Sequence, residues 1–95
     1  MKTFTDLHFS RESFSIGYMD RARIFFNNGY GISVVIGTFS YGGDEGLYEC
    51  AVLKGNKHES EICYDTPITH DVIGYCTPER VTEIMKEIQN LKNEI

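Results

Sequence analysis

Cys63, His70 and Cys76 stand in C-x6-H-x5-C spacing inside the segment CYDTPITHDVIGYCTP, the densest collection of reactive side chains in the chain. A zinc site draws on closely spaced Cys and His pairs. This spacing matches that pattern poorly and brings no fourth ligand, so Cys50 or His58 would have to be recruited by the fold. A nucleophilic thiol needs a base at its side. Cys63 and Cys76 each lie within seven residues of His70, but proximity in sequence does not place them together in space. Free thiols, buried or half-buried, are the plainer reading.

Carboxylate pairs for acid–base work are available at Asp65 with Asp71 and at Asp44 with Glu45. Short polar residues in turns commonly bond the backbone instead. The glycine-rich stretch SYGGDEG lacks the lysine of a Walker loop and the G-x-G-x-x-G spacing of a dinucleotide loop, and its two acids repel phosphate. Its glycines suit a connection between strands. Tyr41, Gly42, Gly43 and Asp44 then form a candidate interaction surface, since tyrosine is enriched in interfaces. No catalytic, metal or cofactor-binding residue is assigned, and the chain is read as a non-enzyme.

Asp65, Thr66, Thr69, His70 and Asp71 form a second candidate surface. The grammar of the segment also reads as structure. Thr66-Pro67 repeats the cap-and-proline pair Thr77-Pro78, so TPIT is suited to open a helical turn. Asp71 is placed to cap a second turn, DVIG, ended by Gly74 in the left-handed conformation. Ile68, Val72, Ile73 and Tyr75 then point inward. Whether the polar residues hold a loop shape or face a partner stays open at this level.

The elements that position these loops are readable from periodicity. Asn27-Asn28-Gly29 follows the β-rich run Ile24–Phe26, and Asn-Gly favours a type I′ hairpin. Tyr30, Ile32, Val34 and Ile36 alternate with smaller residues, as a half-buried strand does. The spacing predicts an antiparallel meander of about four strands: 22–26, 30–37, 47–54 and 61–64. Thr77 and Pro78 open a helix over 77–95. Val81, Ile84, Met85, Ile88, Leu91 and Ile95 form its apolar stripe, which is expected to cover one sheet face. A short coiled-coil seam between protomers is the alternative. The fold class is therefore α+β, in one domain: an arm of uncertain order over 1–20, a meander over 21–64, a structured loop over 65–76 and the helix. The arm's scattered aromatics, Phe4, Phe9, Phe14 and Tyr18, are read as laid on the body of the domain, with a flexible arm that orders on a partner as the alternative.

The chain has 95 residues and a net charge of −5. A chain this small buries a marginal core, which dimerisation commonly supplements. Nine Lys and Arg residues without a run argue against nucleic-acid binding, and the acidic balance argues against a membrane surface. Three cysteines, with no secretory apolar region in the N-terminal stretch, predict free thiols in a reducing cytoplasm.

YGGDEGLYECAVL followed by ICYDTPITHDVIGYCTPERV resembles a group of small proteins encoded by tailed bacteriophages. The shared pattern is YGG-x-x-GLYE-x-AVL, then CYDTPIT-x-DVIG, then a terminal helix. It matches at 41–53 and 63–74, and the resemblance spans about Arg21 to Leu91. It implies a setting, the cytoplasm of an infected cell, and no mechanism. In that setting a small acidic protein without catalytic motifs is expected to bind a host protein, as an inhibitor of a host enzyme or of a defence system such as CRISPR. Self-association as a homodimer, and capture of a nucleotide signal between protomers, are the other expected modes; a small hydrolase or zinc protein ranks behind them.

Overall fold

A computed structural model describes residues 1–92. Six strands form one antiparallel, curled sheet: β1 (Ser10–Phe14), β2 (Gly17–Phe25), β3 (Tyr30–Gly37), β4 (Tyr48–Gly55), β5 (Ser60–Ile62) and β6 (Ile73–Cys76). The helix α1 (Pro78–Gln89) packs on it. The fold is α+β. Strands β1 to β5 neighbour one another in chain order, and β6 returns to β4. Since β3 holds one edge of β4, β5 and β6 share the other, end to end. β5 pairs with Leu53–Gly55, and β6 pairs at Tyr48 and Cys50 across an irregular register.

Alternation along β3 and β4 decides which face meets the helix. Ile32, Val34, Cys50 and Val52 point to one side, where Val81, Ile84, Met85 and Ile88 of α1 are fully buried against them. Each such side chain contributes on the order of 1.5–3 kcal/mol relative to exposure. The stripe is spent on the sheet, so the coiled-coil alternative is overturned. The Thr77 hydroxyl accepts the Arg80 N–H at 3.1 Å, and Pro78 occupies the first turn, as expected. The helix ends at Gln89; the expected continuation through Ile95 includes residues 93–95, which lie outside the described residues.

Four expectations are corrected. The meander has two more strands than expected, β1 and β6. Second, β2 starts at Gly17 and not at Ala22, and residues expected to be an arm of uncertain order supply β1, which joins it in a hairpin. Its turn, Ser15-Ile16, carries no positive φ among its residues and so lacks the Asn-Gly signature of a tight hairpin. The rest of the N-terminus is held to the body, in agreement with the reading that this segment lays its aromatics on the domain. Phe4 N–H donates to Thr82 Oγ1, Gln89 is bonded to both backbone groups of Lys2, and Phe4, Phe9 and Tyr48 form an aromatic trio. Third, the β2–β3 turn is not type I′: only Gly29 has positive φ (86°), and Phe26 N–H closes a three-residue loop onto Tyr30 O. Fourth, residues 65–76 are not one loop, since their last four residues form β6, which fills the free edge of β4.

Asn28 ties that hairpin to the end of the helix. Its Nδ2 donates to Ile88 O at 2.8 Å and Leu91 O at 3.2 Å, and its Oδ1 accepts Tyr30 N–H. Asn28→Ala is expected to cost about 1–2 kcal/mol in urea unfolding, the usual loss for leaving half-buried backbone acceptors unpaired. Asn28→Asp should cost more, because a carboxylate has no proton to donate and meets the negative end of the helix.

Candidate functional site

The thiols expected to bear chemistry are buried. Cys50 and Cys76 lie on neighbouring strands and are each 1% exposed. Burial pushes both thiols above their ordinary pKa; at Cys50 the neighbouring Cys76 sulfur adds to the rise. Cys76 Sγ also faces the carbonyls of Ile73 and Gly74 at 3.5 and 3.6 Å. Burial therefore favours the protonated thiol at both positions in neutral solution. Cys63 is buried as well. Among the described residues no three His, Cys, Asp or Glu side chains are grouped to hold a metal ion.

His70 is turned to its own loop: its Nδ1 lies 2.9 Å from Tyr64 O. Thr69 Oγ1 donates to Asp71 O and accepts Asp71 N–H, while Asp71 Oδ1 accepts Val72 N–H at 2.7 Å. Thr66 is buried, and its hydroxyl accepts Ile68 N–H, so it is not part of a surface. Asp65 is exposed and makes no side-chain bond among the described residues. Most of the polar side chains here are engaged in shaping the segment. The helical turns expected at TPIT and DVIG are absent: bends replace the first, and the second is a bend at Asp71 followed by the start of β6 at Ile73. Gly74 does not adopt the left-handed conformation; Tyr75 does, with φ 56°.

The two expected surfaces meet at this point. Tyr75 N–H donates to Tyr41 O at 3.1 Å, which fastens the SYGGDEG loop to β6. Two glycines permit the approach. A Cβ on Gly74 would lie 2.5 Å from Tyr41 Cβ, and one on Gly42, whose φ is 95°, would lie 2.9 Å from Tyr75 Cα. Gly42 is accordingly buried and is a spacer rather than a contact residue. Asp44 lies in a single 3-10 turn, Gly43–Glu45, and is exposed together with Glu45. Glu49 steadies the loop by accepting Tyr41 N–H at 2.8 Å. As a result the backbones of Tyr41 and Tyr75 are joined while both residues are exposed to water, Tyr41 at 60% and Tyr75 at 58%.

Other apolar side chains are exposed at the same end of the sheet. The β1–β2 turn lies at the same end of the sheet as the β3–β4 loop, because Met19 pairs with Gly37 and Thr38 bonds both backbone groups of Tyr18. Phe14, Ile16, Tyr18 and Phe39 are exposed there. With Tyr41 and Tyr75 they make six of the nine exposed large hydrophobic residues among the described residues, gathered at one end. Arg11 stiffens the hairpin: it bonds Asp20 through two nitrogens and lies 4.0 Å over the Tyr18 ring. That pairing holds the Asp20 carboxyl below its usual pKa. Sequence reading found Tyr41 but missed the rest. Tyr75 was expected to point inward, and the hairpin turn carried no signature.

Against protein-family models, curated proteins and solved structures the chain matches nothing.

The buried thiols give a pH prediction. A thiol whose folded pKa is raised stabilises the fold fully below its unfolded pKa, about 8.5. That contribution declines as pH rises past this value, because unfolding then releases protons. Stability should fall by up to about 1.4 kcal/mol per pH unit for each such thiol above pH 8.5. Replacing Cys50 and Cys76 together by Ala should flatten the slope, measured by urea unfolding between pH 7 and 10.

Proposed function

We propose that this chain is a small non-catalytic binding protein of a tailed bacteriophage. It acts in the cytoplasm of the infected host by occupying a host protein, as an inhibitor of a host enzyme or of a defence system. The bacteriophage setting rests on the motifs at 41–53 and 63–74. The binding reading rests on one observation: Tyr41 and Tyr75 are held in water by a bond between their backbones, with Tyr75 in a conformation that disfavours it.

A tyrosine with positive φ costs about 1–2 kcal/mol relative to the right-handed region. Strain of that kind persists where surrounding structure enforces it, and it clusters at functional positions. Here it aims an aromatic side chain out of the fold instead of into the core. Contiguous exposed apolar patches mark interaction sites, and tyrosine is prominent among the residues that carry binding energy. The exposed acids Asp44 and Glu45 border the patch, so the fitting partner is an apolar pocket rimmed by Lys and Arg.

Affinity capture from host lysate tests the reading, with Tyr41→Ala and Tyr75→Gly as comparisons. The parent should retain a specific host protein, and either variant should lose it. Tyr75→Gly should melt no lower than the parent, since relief of the left-handed strain offsets the backbone freedom that glycine adds. Retention of the same protein by both variants, or by none of the three, defeats the proposal. Light scattering on the parent reports whether a second copy takes the same surface.

A further inference from the structure

The sheet face turned away from α1 holds a cleft of about 450 Å³, within the size range of small-molecule sites. Its floor is Val35, Ala51 and Leu53, which stay buried although no helix covers them. The pairing register defines its walls. Arg21 lies opposite Val35 and Arg23 opposite Ser33, so both arginines rise from the same face of β2, about 7 Å apart along the strand. Ile62, opposite Leu53, and Val72 form the far wall.

The donors around this cleft are unused. Among the described residues, Arg21 and Arg23 make no ion pair or side-chain hydrogen bond, and neither do the Ser33 and Ser60 hydroxyls that also line it. Two acids, Glu49 and Glu61, also line the cleft, on the side away from the arginines. Glu61 lies opposite Lys54, on the alternate side of β5 from Ile62, whereas Glu49 shares the face of Arg21 and Val35, two strands from Arg21, with one oxygen engaged by Tyr41 N–H. In a chain of net charge −5, one wall of the cleft therefore carries two guanidinium groups without a partner among the described residues, beside an apolar floor that separates them from Glu49 and Glu61.

We propose that this cleft binds a small organic anion: one carboxylate or phosphate head on an apolar or aromatic body. The guanidinium groups take the head through charge-assisted, bidentate-capable bonds. The body lies over Val35, Ala51 and Leu53. The site is separate from the aromatic end, and its occupancy does not depend on a protein partner.

Methyl NMR of Val35, Ala51 and Leu53 tests it, with benzoate, phenyl phosphate, a nucleoside monophosphate, inorganic phosphate and benzyl alcohol as probes. At least one probe with both head and body should shift these methyls saturably, more weakly at high salt. Inorganic phosphate and benzyl alcohol, each lacking one part, should bind at least tenfold more weakly. Comparison of benzoate with phenyl phosphate reports which head is preferred. The double change Arg21→Gln, Arg23→Gln should weaken binding at least tenfold, and Arg21→Lys, Arg23→Lys should retain part of it. Ala51→Leu, which fills the floor while keeping both charges, should abolish it. Silent methyls with every probe overturn the proposal. So does equal binding of benzyl alcohol, or binding that survives in the double Gln variant.

Discussion

The contact between the apolar stripe of α1 and the centre of the sheet is the constraint from which the other features follow. Val81, Ile84, Met85 and Ile88 have no exposure, and they cover Ile32, Val34, Cys50 and Val52. Because side chains alternate along β3 and β4, this contact sets the facing of every paired strand. It also brings the end of the helix to the β2–β3 turn, where Asn28 satisfies the Ile88 carbonyl and that of Leu91 just beyond the helix. A one-residue slip would bury Glu49 and Ser33 beneath the helix, so the register has no competitor of similar energy.

With that face occupied, other parts of the chain are left for interaction. Residues 63–72 span the gap between two short strands on one edge of β4, and their hydroxyls and carboxylates are largely consumed in shaping that crossing. The segment therefore contributes less to a surface than its composition promises. What it delivers is β6, which meets the glycine-rich loop at Gly42 and Gly74 and turns Tyr75 outward. Two stretches that look independent in the sequence become one surface through a single backbone hydrogen bond and the lack of two Cβ atoms. The cysteines follow the same logic in reverse: Cys50 and Cys76 meet, but in the core, where the thiol form is favoured.

Strong local signals account for what was legible. Thr77-Pro78 and the three-four repeat after it mark α1, and the alternation from Tyr30 to Ile36 marks β3 with its core-facing side. The exposure of Tyr41 was legible from its place on a glycine-rich loop. The β1–β2 hairpin was not, because Ser15-Ile16 bends without a left-handed residue and β1 is exposed throughout, leaving no buried alternation to read. β6 was hidden for a related reason. Its four residues carry one glycine and an irregular register, so pairing with β4 decides their conformation in place of intrinsic preference.

By itself, the sequence determined the α+β class, the helix and its inward stripe, the central strands, and the absence of recognisable catalytic spacing. Each of these is encoded in residues near one another along the chain, through period, cap or turn chemistry. Only the tertiary structure decided that Tyr41 stands beside Tyr75, that Arg21 and Arg23 overlook an uncovered apolar floor, and that Cys50 and Cys76 are sealed in the core. Those arrangements join residues tens of positions apart, or depend on which sheet face the helix leaves open, and no local pattern specifies either.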